Sequence, residues 1–216
     1  GGVVALKDLS FHLDRGEVLG LIGPNGSGKS TTVNTLAGVF PATSGEILLD
    51  GEAVGSLTEP QRVARGLSRT FQTASVFEEF TVRDQIALGC EPRLAPSWFS
   101  SIFGRGGSAA DQTRERTEDL LDLCGLRQDA DRLVGTIPVA LQRFLMIATS
   151  LAAQPKVLLL DEPAAGMVKS EREELADLIT RIKDRGVATL VIEHRSAALL
   201  EHRKELIKFA WNHLKS

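Results

Sequence analysis

The chain has 216 residues, 43% hydrophobic and 25% charged, enough for one compact core with a lobe inserted into it. Its net charge of -3 leaves no globally basic surface, which argues against nucleic acid as a partner. Cys90 and Cys124 lack metal-ligand companions and read as reduced structural thiols of a cytoplasmic protein; no stretch has the length of a membrane span or the pattern of a signal segment, so membrane contact is expected only through a partner.

In chain order, Val3 to Leu13 and Ile47 to Asp50 resemble strands joined without their own helices, which predicts a small antiparallel layer. Glu17 to Ile22 is an apolar run closed by glycine, as expected of a buried strand feeding a turn, and Ser30 to Ala37 reads as the helix after it. The middle is helical in pattern, with Thr81 and Asp84 capping one segment and Asp111 to Cys124 forming another. Within it, Ala95 to Ser108 carries Pro96, Trp98, Phe99 and Phe103 and reads as an irregular loop; its aromatics are either exposed or packed on the lobe.

Further on, Val157 to Leu160 forms a strand before Asp161, and Ala188 to Ile192 another before Glu193 and His194. Between them, Ser170 with Glu173 predicts a capping box opening a helix that runs to about Arg185. In the tail, Leu200, Ile207, Trp211 and Leu214 fall at helical spacing, which predicts an amphipathic helix covering a sheet edge or core, with membrane or partner binding the alternative. The expected fold is therefore α/β: a mainly parallel sheet, a small antiparallel β layer, and an inserted α-helical subdomain over 73–140 that divides a core formed by 1–72 and 141–216.

The chemistry concentrates in Gly23-Pro24-Asn25-Gly26-Ser27-Gly28-Lys29-Ser30, which satisfies G-x-x-x-x-G-K-S between a predicted strand and helix. Glycines let backbone N–H groups turn inward around a phosphate, and the following helix, from Ser30 and Thr31, presents its positive end to the same charge. Lys29 is positioned for the β- and γ-phosphates of ATP and Ser30 for Mg2+. A second motif, Leu158-Leu159-Leu160-Asp161-Glu162, supplies Asp161 for the metal shell and Glu162 as a base for the attacking water. Alone, such a strand and acid occur in many α/β proteins; together with the loop they specify a RecA-like P-loop NTPase. His194 either senses the γ-phosphate or is a satisfied surface group.

These motifs, with Gly1 to Leu6, Arg69-Thr70-Phe71-Gln72 and Asp161-Glu162-Pro163-Ala164-Ala165-Gly166, make the chain similar to the ATP-binding-cassette ATPases, specifically the subunits that energise bacterial branched-chain amino-acid importers. The similarity covers roughly residues 1 to 200. It implies that Gln72 ligates Mg2+ and links two lobes, that Glu162 is the catalytic base and that His194 is the switch histidine. It further implies a cytoplasmic subunit on the inner face of the cell membrane, attached to a transmembrane permease. ATP would be sandwiched between the phosphate loop of one nucleotide-binding domain and the signature motif of a second.

The signature region departs from that family. In Ile137-Pro138-Val139-Ala140-Leu141-Gln142-Arg143, Ala140 stands where the family places glycine and Val139 where it often has serine; Val168 replaces the usual asparagine or aspartate of the dimer-contact loop. A methyl at Ala140 would oppose close backbone approach to the partner's γ-phosphate. No tyrosine exists to stack on adenine, so Phe11 or a partner residue would substitute.

Two functional expectations follow: a transport ATPase driving uptake, probed by turnover, and a degenerate or engineered domain that binds ATP as a monomer with little hydrolysis. A cassette acting on DNA or ribosomes would be expected to carry long coiled-coil insertions or a basic linker, and neither is present. A small-molecule kinase would leave Gln72 and His194 unexplained.

Overall fold

The computed structural model describes residues 6, 9–70, 77–94, 106–193 and 207–210. The chain divides into two compact units, one formed by 1–72 and 156–216, the other by 73–155.

The first unit is built on five parallel strands: β1 (Val18–Ile22), β4 (Leu67–Arg69), β5 (Val157–Asp161), β6 (Ala188–Glu193) and β7 (Ile207–Ala210). Their spatial order is β4-β5-β6-β1-β7. The apolar runs that predict β1, β5 and β6 are those of strands covered on both faces, and every residue of β6 is buried. Leu19, Leu21, Leu159, Leu190 and Ile192 meet Val33 and Ala37 of helix α1 (Lys29–Ala37), with Leu49, Val54 and Leu67 completing the cluster. Burying each such aliphatic side chain contributes about 1.5–3 kcal/mol. Phe11 and Leu13 pack against this cluster.

Parallel register sets the strand ends level. Asp161 lies opposite Ile192, and Glu193 opposite Ile22, so the carboxyl ends of β5, β6 and β1 open on one edge of the sheet. That edge is where open α/β sheets hold ligands.

A short antiparallel pair, β2 (Leu48–Leu49) and β3 (Glu52–Ala53), stands apart from this sheet. Its connection is Asp50-Gly51, both at positive φ (51° and 79°), a two-residue hairpin turn of the Asp-Gly kind. Of the expected strand over Val3 to Leu13, Leu6 and Leu9 to Leu13 form no strand and 3–5, 7 and 8 lie outside the described residues; among the described residues the antiparallel layer is the hairpin. Helix α2 (Glu59–Arg65) follows, opened by Thr58, whose backbone N–H donates to Gln61 Oε1 at 2.9 Å.

Its Arg62 is almost fully buried. The guanidinium donates to four backbone carbonyls: Leu57 at 3.0 Å, Thr35 at 2.6 Å, Leu36 at 2.7 Å and Gly55 at 2.8 Å. Two of these belong to the last turn of α1, so Arg62 closes the end of the helix that begins at the phosphate loop.

Two expectations for the later part of this unit need correction. Helix α6 (Lys169–Asp184) starts one residue before Ser170, with Val168 at its N-cap. The capping partner is Glu171, whose Oε2 accepts from the Val168 N–H at 2.9 Å; the Val168 side chain has no oxygen to return the bond. The tail residues Ile207–Ala210 are a strand, not part of a helix, paired in parallel with Val18–Leu21. Ladder bonding along the open edge of β1 outweighs the helical spacing of four apolar residues. The remainder of the proposed tail helix, 201–206 and 211–216, lies outside the described residues.

The second unit is helical: α3 (Val82–Leu94), α4 (Gly106–Leu123) and α5 (Val139–Ala152), with two 3-10 turns at Arg127–Asp129 and Val134–Thr136. Thr81 and Asp84 make the expected capping box, the Asp84 N–H donating to Thr81 Oγ1 at 3.1 Å and the Thr81 hydroxyl to Asp84 Oδ2 at 2.6 Å. Gly106 to Ser108, expected in the aromatic-rich loop, are the first turn of α4, while 95–105 lie outside the described residues.

This unit continues past the expected limit at residue 140 because α5 supplies its core. Phe144, Leu145, Ile147, Ala148 and Leu151 are buried, and Arg116 of α4 donates to Leu151 O at 3.0 Å. A Cβ at Gly89 of α3 would stand 2.6 Å from Thr149 O and 2.9 Å from Ala152 Cβ, so glycine is what allows α3 and α5 to approach. Cys90 and Cys124 are buried here and belong to no disulfide among the described residues, and burial pushes the Cys90 thiol pKa up. Among the described residues no helix is long and apolar enough to cross a membrane.

Candidate nucleotide-phosphate site

The loop from Gly23 to Gly28 links the end of β1 to the start of α1. Each glycine has a separate reason. A Cβ at Gly23 would lie 2.5 Å from Ser27 Oγ and 3.3 Å from Ser27 Cβ, so a side chain there would force Ser27 to turn away. Gly26 and Gly28 hold φ of 78° and 87°, the left-handed region that side chains resist. The turn is tied by the Ser27 N–H donating to Pro24 O at 3.2 Å.

Gly28 is the N-cap of α1 and brings no side-chain cap. The amide groups of the first turn, from Lys29 to Thr31, therefore stay available to an anion, while the Thr32 N–H closes the first helical bond to Gly28 O at 2.8 Å. Lys29 is buried, and its ammonium donates to Gly23 O at 2.7 Å and Pro24 O at 2.8 Å. Burial lowers its pKa; the negative charges of Glu162 and Asp161 oppose that shift. Lys29, Asp161 and Glu162 are thus within electrostatic reach of one another.

Asp161 ends β5 with its side chain buried. One carboxylate oxygen, Oδ2, accepts from Arg69 Nη2 at 2.8 Å; Oδ1 is buried and takes no hydrogen bond among the described residues. Ser27 Oγ is likewise buried and without a partner there. Glu162 follows at φ 48°, a left-handed conformation unusual for a residue with a side chain, its N–H donating to Ile192 O at 2.9 Å. Strain of this kind is held by the surrounding loop, where the Ala164 N–H donates to Glu193 Oε1 at 3.0 Å.

The expected site residues Gly23, Pro24, Asn25, Gly26, Ser27, Gly28, Lys29, Ser30 and Thr31 thus lie in one loop and helix start, with Asp161 and Glu162 within electrostatic reach of Lys29. Gln72 and His194 lie outside the described residues. The sequence reading passes over Arg69, which joins Asp161 to Asn34 of α1. The available signal was an arginine at the end of a buried strand, a position that demands an acidic or carbonyl partner.

The ABC transporter family profile matches residues 6–165. The chain is 34% identical over 197 residues to the high-affinity branched-chain amino acid transport ATP-binding protein LivG of Escherichia coli, covering 90% of this chain and 77% of LivG. It is 33% identical over 196 residues to the ribose import ATP-binding protein RbsA of Lacticaseibacillus paracasei, covering 91% of this chain and 37% of that protein. Among solved structures, the ADP conformation of the ATP-binding cassette MJ1267 of an ABC transporter superposes with a TM-score of 0.77 at 26% identity, over 95% of this chain and 80% of that one.

A phosphate loop on β1, an acidic pair ending β5 and a helical unit inserted before β5 define an ATP-binding P-loop domain, and the chain belongs to the ABC transporter family as an ATP-binding domain. In that family ATP-binding proteins are ATPases coupled to transport, and the subunits of importers work with transmembrane components.

Proposed function

We propose that this chain binds Mg-ATP at Gly23–Thr31 and hydrolyses it to drive a membrane permease in amino-acid uptake, from the cytoplasmic face of the membrane. The observation that carries the reading is the buried Lys29 ammonium held on the Gly23 and Pro24 carbonyls inside a glycine-rich turn, at the same sheet edge as Asp161. The amino-acid assignment draws on LivG, which this chain covers over 77% of its length, against 37% for the ribose protein.

The residues fit the ligand. The loop and the uncapped first turn of α1 offer N–H donors to the β-phosphate, and Lys29 would exchange the carbonyls of Gly23 and Pro24 for phosphate oxygens. Among the described residues no group of three His, Cys, Asp or Glu side chains could hold a metal unaided. Mg2+ suits such a site, because it takes few protein oxygens and completes its shell with phosphate and water. Asp161 Oδ1, buried and without a partner, fits that role, with Ser30 and Gln72 as the other ligands. When bound, Mg2+ neutralises charge on the phosphates.

Glu162 would take the proton of the attacking water, and His194 would contact the γ-phosphate. Residues 1–72 and 156–216 would act as the nucleotide-binding core and 73–155 as the helical lobe. The test is phosphate release from Mg-ATP: turnover is expected from the native chain and not from Glu162→Gln, which should retain ATP binding. Equal rates from the two proteins would remove Glu162 as the base.

A second reading is favoured by Val139 and Val168, which are 67% and 59% exposed. Apolar side chains with that exposure stand at positions where the expected interface with a second nucleotide-binding domain has polar ones, and Ala140 adds a methyl to the first turn of α5. Under this reading the domain binds ATP as a monomer and turns over little. Light scattering of Glu162→Gln with and without Mg-ATP separates the two: a doubling of mass supports the sandwich, an unchanged mass the monomer.

A further inference from the structure

Arg69 reaches in two directions. Its Nη1 donates to Asn34 Oδ1 at 2.6 Å and its Nη2 to Asp161 Oδ2 at 2.8 Å, with Arg69 only 12% and Asp161 only 2% exposed in their side chains. Asn34 is one helical turn beyond Ser30 on the same face of α1. One guanidinium therefore spans the helix that carries Ser30 and the strand end that carries Asp161.

We propose that Arg69 is a positioning residue for the metal site, a brace that fixes the gap between Ser30 and Asp161 and engages one Asp161 oxygen so that the other is left to the metal. The inference rests on the reading of Ser30 and Asp161 as Mg2+ ligands. A planar fork suits such a brace, since two donors in a rigid plane set a distance and an angle, whereas an ammonium on a flexible stem sets neither. Oδ1 of Asp161, buried and without a hydrogen bond among the described residues, is what the engagement of Oδ2 leaves over. The brace also sits at the last residue of β4, three positions before Gln72, the third expected ligand.

The test compares the affinity of a fluorescent ATP analogue in Mg2+ and in EDTA for the native chain, Arg69→Met, Arg69→Lys and Asn34→Ala. Outer partners of metal ligands typically change metal affinity by 10–100-fold, so the Mg2+-to-EDTA affinity ratio should fall by about tenfold or more in Arg69→Met while affinity in EDTA holds. Arg69→Lys should share most of the loss, because it keeps the charge and not the fork. Asn34→Ala, which removes one arm and leaves the buried charge paired, should lose less, and it carries the test if Arg69→Met does not fold.

Equal weakening in Mg2+ and EDTA would make Arg69 merely structural. A native ratio in Arg69→Met or in Arg69→Lys would overturn the brace. A native chain that binds the analogue no better with Mg2+ would overturn the metal reading itself.

Discussion

Arg62 shows how much one side chain contributes away from the chemistry. It serves four carbonyls in a nearly water-free position, and its replacement leaves several of them without donors at a cost of roughly 1–3 kcal/mol for each that water cannot reach. Arg62→Leu should lower unfolding free energy by at least about 3 kcal/mol in urea titrations, and with it the order of α1. Val168 offers the opposite case. Its N–H is served by Glu171, but its side chain gives nothing to the first turn of α6 and lies largely in solvent. Val168→Asp should add about 1 kcal/mol, read as a higher urea midpoint at unchanged slope, and no gain would mean that the free amides of that turn are already satisfied. The Lys29 loop is legible from residue types and spacing alone, because only glycine tolerates those turns. The role of Arg69 is not, since its partners are 35 and 92 positions away in the chain.

Secondary elements divide along the same physical line. Strands β1, β5 and β6 are legible as short apolar runs because both faces are covered, and the Thr81–Asp84 cap because its bonds are local. The first strand of the hairpin at Asp50-Gly51 is legible within Ile47 to Asp50, whereas its partner Glu52–Ala53, two residues long, carries too little alternation to announce itself. Ile207–Ala210 misleads for a different reason: its helical spacing is real, and a distant open sheet edge overrides it. Gly89 is the element-scale test of packing. In an exposed helix, Gly→Ala gains about 1 kcal/mol from propensity. Here the added methyl meets backbone and side chain of α5 inside contact distance, and overpacking costs about 1–3 kcal/mol. Gly89→Ala should therefore destabilise the helical unit, measured by thermal unfolding, and a raised midpoint would show that α3 and α5 separate without cost.

At the scale of the whole molecule, the proposed ATP site draws on Lys29, Asp161 and Glu162, while Val139, Ala140 and Val168 stand where contact with a second nucleotide-binding domain is expected. If these three are what limits association, the triple change Val139→Ser, Ala140→Gly and Val168→Asp in the Glu162→Gln background should create an Mg-ATP-dependent doubling of mass in light scattering. A triple variant that stays monomeric would place the obstacle elsewhere in the chain.

The strand at Ile207–Ala210 bears on how the protein is made. Among the described strands of the sheet β1 comes first in the chain, yet both of its neighbours come late, at Ala188–Glu193 and Ile207–Ala210. Contacts so distant in sequence form slowly, and an unpaired apolar strand is a template for other chains in the meantime. Of the described strands, the one that feeds the Gly23–Gly28 loop therefore gains both of its ladder partners only when the last part of the sheet has been made.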